Sequence, residues 1–176
     1  STPANQDGGG LLHAGAGLTL NEVTFASNQS DWNGGGLYFN GSGSLSVADS
    51  TFSDNTAANF GGGLYVNTNA ATLTTTTFLT NTADTEAGGG IYHQGTSLGL
   101  NGVTLSGNDS DSNGGGLYFN GSGALSVTGS TFQSNIAGSS GGGLYVNVNA
   151  ATLTATTFLT NTAATDGGGG IYHQGT

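Results

Sequence analysis

The sequence predicts an all-β chain wound as a right-handed parallel β-helix, a solenoid with three short strands in each coil and a coil period of 26–27 positions. Three observations carry that prediction. A glycine triplet returns at nearly constant spacing, apolar residues behind each triplet alternate at period two, and turn-forming residues fill every gap.

The triplet Gly-Gly-Gly starts at Gly8, Gly34, Gly61, Gly88, Gly114, Gly141 and Gly168, so that successive spacings are 26, 27, 27, 26, 27 and 27. A longer period, three coils and an offset of 80, lies above it: the stretches 34–96 and 114–176 are identical at 49 of 63 positions. Turns such as Asn40-Gly-Ser-Gly match as well as the apolar positions do, which points to duplication of a three-coil unit.

Each coil offers three extended pieces. The first follows the glycines, as in Leu37-Tyr-Phe, Leu64-Tyr-Val and Ile91-Tyr-His. The second is Leu18-Thr-Leu and its counterparts at Leu45, Ala71, Leu98, Leu125 and Ala151. The third ends in Thr-Phe or Thr-Leu, from Thr24-Phe to Thr157-Phe. Strands that keep one order through every repeat cannot pair as hairpins, so they stack in parallel, coil on coil, and each coil buries its apolar face against its neighbours. The crossover rule for parallel strands sets the hand to the right. Residues 1–176 form a single solenoid segment of about six and a half coils, about 30 Å tall at the usual strand spacing. Ser1 aligns with Asn81 and Thr176 with Thr96, and the expectation is of a segment uncapped at both ends.

Stacking turns each repeat position into a column. Phe25, Phe52, Phe78, Leu105, Phe132 and Phe158 form one inward column; those led by Leu18 and by Leu20 form two more. Three residues after each aromatic position stands an asparagine: Asn28, Asn55, Asn81, Asn108, Asn135 and Asn161. Stacked amides hydrogen-bond along a column and satisfy turn backbone, so a structural ladder is expected here rather than a ligand-binding row. The glycine triplets read as corners of close backbone approach. They do not read as a phosphate cradle, since no GxGxxG pattern or P-loop lysine accompanies them.

The first strand can be placed in two ways. The Leu/Ile column favours Leu37 and Phe39 inward. That leaves Tyr38, Tyr65, Tyr92, Tyr118, Tyr145 and Tyr172 as an exposed aromatic stripe, a candidate contact surface. His93 and His173 then share a column with Phe39 and Val66 as half-buried neutral imidazoles, and one histidine per three-coil unit is too sparse to share a metal. The outward column Thr24, Thr51, Thr77, Thr104, Thr131 and Thr157 raises an ice-binding reading. Its companion two residues earlier (Glu22, Asp49, Thr75, Gly102, Gly129 and Ala155) is irregular and partly charged, which argues against it.

Composition removes several function classes. The chain has no Lys or Arg against ten acidic residues, a formal charge of −10. Binding to nucleic acid or to anionic membranes rests on basic side chains, so neither partner is expected, and no apolar run is long enough for a membrane span. Without cysteine there are no disulfides or thiolate metal sites. Asp109-Ser-Asp111 offers two oxygens toward calcium, but Gln29-Ser-Asp31 in the preceding unit keeps one, so no metal or cofactor is assigned. Glycosylation acceptor patterns occur at Asn28, Asn40, Asn108 and Asn120.

A glycine run followed by an aliphatic residue and tyrosine, then Phe-x-x-Asn, resembles the repeats of chlamydial polymorphic outer-membrane proteins and of bacterial β-helix repeat proteins more widely. Phe25-Ala-Ser-Asn28, Phe52-Ser-Asp-Asn55, Phe78-Leu-Thr-Asn81, Phe132-Gln-Ser-Asn135 and Phe158-Leu-Thr-Asn161 match, while Leu105-Ser-Gly-Asn108 departs. The chlamydial repeats usually carry Gly-Gly-Ala where this chain has Gly-Gly-Gly. The resemblance implies passenger-like adhesins at a cell surface, and no chemistry.

The functional expectation is an extracellular, non-enzymatic structural or adhesive protein, part of a fibre, sheath or adhesin stalk that self-associates or continues into further repeats. The alternative is a carbohydrate-binding or carbohydrate-active surface. Pectate-type lyases need a basic residue that this chain lacks, and the acids sit in turns rather than as a pair spaced for hydrolysis.

Overall fold

A computed structural model describes residues 6–147 and 150–175. The expectations placed on Ser1 and Thr176 lie outside the described residues.

Every pairing between strands is parallel, and each strand pairs with its counterpart one coil away. The first strands, from Leu11–His13 to Ile171–His173, make a seven-stranded sheet. The second strands, Leu18–Asn21 to Ala151–Thr154, and the third, Thr24–Ala26 to Thr157–Leu159, make six-stranded sheets. A fourth sheet, not expected from the sequence, joins two-residue pieces such as Thr56–Ala57, Thr82–Ala83 and Ile136–Ala137. The expected register holds throughout: Leu37 pairs with Leu64, Ala71 with Leu98, and Phe52 with Phe78.

The core follows the period-two alternation. On the first strand Leu37 and Phe39 are fully buried, which settles the inward choice. Val47, Leu73, Leu100 and Val127 face them from the second strand, and Phe52, Phe78, Leu105 and Phe132 from the third. Burial of each of these side chains contributes about 1.5–3 kcal/mol. The fourth strands turn small residues inward, Ala57, Ala83 and Ala137, where the coil narrows toward the glycine corner.

Three corners per coil enter the left-handed backbone region. The first residue of each glycine triplet has φ between 64° and 73°. The other two corners carry mostly non-glycine residues, for example Asp49, Thr75 and Ala155 at one and Asp54, Thr80 and Ser134 at the other. The remaining glycines of the triplet answer to space. A Cβ on Gly62 would lie 2.3 Å from the Thr82 carbonyl oxygen and 2.5 Å from that of Gly89. A Cβ on Gly63 would press on the Phe78 ring at 2.9 Å. Even here the backbone keeps bonding coil to coil, with Gly62 N–H donating to the Gly88 carbonyl at 3.2 Å.

The stacked ladders as candidate functional site

The inward aromatics stack as expected. Phe25–Phe52 and Phe52–Phe78 have ring centroids 4.9 and 4.7 Å apart, and Phe132–Phe158 4.8 Å. Leu105 interrupts the stack between Phe78 and Phe132.

The asparagines form a hydrogen-bonded ladder. Each Nδ2 donates to the Oδ1 of the next coil's asparagine: Asn28 to Asn55, Asn55 to Asn81, Asn81 to Asn108, Asn108 to Asn135 and Asn135 to Asn161, at 2.8–2.9 Å. That same Oδ1 also accepts the backbone N–H of the preceding asparagine at 3.0–3.1 Å. The second Nδ2 hydrogen points the other way. In Asn55 it reaches the Phe25 carbonyl at 2.9 Å and in Asn161 the Phe132 carbonyl at 2.8 Å. Asn55, Asn81, Asn108 and Asn135 are fully buried, so both donors and both lone-pair directions of each inner amide are used away from water.

The tyrosines run as an unbroken six-ring stack, from Tyr38 through Tyr65, Tyr92, Tyr118 and Tyr145 to Tyr172, with centroids 4.8–5.1 Å apart and planes within 11°. They point away from the main core, yet the expected exposed stripe is corrected: Tyr65, Tyr92 and Tyr145 are only 6%, 7% and 8% exposed. Each ring covers the faces of its neighbours, and Phe60 and Ala87, just before two of the glycine triplets, pack against the stack as a second small core. Burial raises the Tyr65 phenol well above its usual range and pushes that of Tyr118 up to about 12, with neighbouring phenols adding to both. Beside the stack runs a second, outer amide row, in which Asn67 donates to Asn40, Gln94 to Asn67 and Asn147 to Asn120. The Tyr145 hydroxyl donates to Gln174 at 2.7 Å. Sequence reasoning missed this row because Asn and Gln are mixed in it, with Gln94 and Gln174 standing where other coils have Asn.

The remaining candidates separate cleanly. Two glycosylation patterns are closed, since the Asn108 amide is buried in the inner ladder and the Asn28 amide donates into it. Asn40 is exposed and Asn120 half-buried on the outer row. The threonine column faces outward, but its supposed companion lies at a left-handed corner, with φ of 46–62° from Glu22 to Ala155. Burial raises the Asp109 carboxyl, with Asp111 and Asp84 adding repulsion. Among the described residues no group of three or more His, Asp or Glu is placed to hold a metal. His93 is fully buried rather than half-buried.

Parallel strands at one coil spacing, wound about one main apolar core with an internal asparagine ladder, define the fold to which this chain is similar. The family model described as right handed beta helix region matches residues 4–132. The chain belongs to the right-handed β-helix family. The match reaches the family and not the narrower chlamydial group, for which the likeness stays at the level of the two motifs. No curated protein and no solved structure matches this β-helix.

Proposed function

We propose that this β-helix is a non-enzymatic structural element of an extracellular or cell-surface protein, a stiff self-associating spacer within a fibre, sheath or adhesin stalk. The observation that carries the reading is the inner asparagine ladder, five consecutive coil-to-coil links with every inner amide satisfied. His93 and three of the tyrosines, groups that could transfer protons, are buried in the stacks. Residue types are thus committed to joining one coil to the next. Electron microscopy of the concentrated protein, run beside a polysaccharide-cleavage panel, tests the reading. Filaments or laterally packed sheets without cleavage support it. Dispersed particles together with released oligosaccharide overturn it.

One observation favours the carbohydrate reading. The outer face of the second sheet carries a shallow depression of about 270 Å³, lined by Thr72, Gly99, Asn101, Ser126 and Thr128. Hydroxyls, an amide and no charge suit a neutral sugar ring. Gly99 opens it, although a Cβ there would meet nothing nearer than Thr72 at 3.9 Å. On this reading a glycan array gives hits that Gly99→Ser abolishes; an array blank for the unaltered chain removes it.

A further inference from the structure

His93 occupies the third position of the strand Ile91–His93, all three residues of which are buried. Strand register sets Val66 in the coil on one side and Phe119 in the coil on the other. The imidazole lies nearly parallel to the Phe119 ring, centroids 5.4 Å apart and planes within 10°. It has no exposed surface, and among the described residues neither ring nitrogen finds a well-formed hydrogen-bond partner. The Thr96 backbone acts weakly on the ring, without well-formed bonding geometry. An orphaned polar ring in an apolar core is a feature that stability alone does not explain, because Val66 and Val146 fill the same column with no such cost.

Among the described residues no charged side chain faces the ring. On the three strands that stack here, Tyr65, Tyr92 and Tyr118 alternate to the opposite side, and Glu86 lies beside Tyr92 there. The second strands of these coils, Ala71–Thr74, Leu98–Asn101 and Leu125–Thr128, carry no ionisable side chain. On the third and fourth strands of the three coils, Asp109 is the sole ionisable residue, and its outward-alternating position leaves Ser110 as the buried neighbour. A proton on His93 therefore has nothing to pair with.

We propose that His93 makes its coil an acid-labile joint, shut while the imidazole is neutral and opened when it gains a proton. A solenoid coil contacts only its two neighbours, so the opening is local to coils joined at Leu64–Val66, Ile91–His93 and Leu117–Phe119. The sign and window follow from linkage. An imidazole in the opened chain takes its proton near 6.5, whereas burial holds that of His93 down to about 4. Above the upper value both states are neutral and pH has no effect. Between the two values the opened state holds one more proton, and the closed-to-open ratio falls about tenfold per pH unit, roughly 300-fold across the window.

Hydrogen exchange of the full chain, corrected for intrinsic rates, tests this between about pH 7 and about pH 4.5. In the unaltered protein, protection of amides in those three strands should stay level down to about 6.5 and then fall about tenfold per pH unit. His93→Val, which installs the residue found at Val66 and Val146, should keep that protection. Carboxylates raised by burial, such as Asp109, respond alike in both proteins and cancel in the comparison. Equal acid loss in the two proteins overturns the joint. If His93→Val does not fold, ring titration by NMR in the unaltered chain decides. Proton uptake that coincides with loss of protection supports the joint, and uptake near 6.5 with protection intact overturns it.

Discussion

At Asn81 a single amide serves four partners in three successive coils: Asn55 N–H and Nδ2 donate to its oxygen, and its nitrogen donates to Asn108 and to the Phe52 carbonyl. Replacing it with Leu, close in size, strands two donors and a carbonyl where water does not reach. Asn81→Leu should therefore cost about 3–5 kcal/mol in a denaturant titration. Asn28→Leu, at the half-exposed start of the row, should cost clearly less; equal costs would show that the ladder is not the source. Thr75 presents the opposite case, a β-branched residue held at φ 48° where later coils place Gly102 and Gly129. Asparagine tolerates this region far better, so Thr75→Asn should raise stability by about 0.5–1 kcal/mol, seen as a higher denaturant midpoint at unchanged slope.

Among the strands and corners, two glycines behave in opposite ways. Gly62 sits where a methyl group would enter the Thr82 and Gly89 carbonyls, and Gly99 lies mid-strand where one would make ordinary contact with Thr72 at 3.9 Å. Gly62→Ala should lose about 4 kcal/mol or more and with it cooperative unfolding. Gly99→Ala should gain about 0.5–1 kcal/mol from the reduced entropy of the unwound chain. Circular dichroism melts of the pair read both signs. This contrast marks where sequence reading stops. The Phe and Asn columns were legible because one residue type returns at each coil, and a core position repeats its chemistry. The fourth sheet was not, because Gln-Ser, Thr-Ala and Ile-Ala are too short to show alternation. Nor was the cover over the tyrosines: Phe60 and Ala87 each stand in one coil only, so no column announces them.

For the molecule as a whole, the tyrosine stack is the part that responds to base. The phenols of Tyr65 and Tyr118 stay neutral in the wound chain well above the ordinary value near 10. Their contribution to stability is complete below that value and is lost as pH rises toward about 12. Absorbance at the phenolate band should show the inner tyrosines ionising only together with loss of the β signal. Six phenols titrating freely near the ordinary value would contradict the stacked arrangement. The two amide files beside these columns differ in direction. In the inner file the amide-to-amide links donate toward higher residue numbers, and in the outer file those among the described residues donate toward lower ones. Within the inner file each amide both donates and accepts, so neighbouring members polarise one another. Winding one more coil onto the inner row therefore adds a link and strengthens those already made, so the stiffness of this row grows with its length.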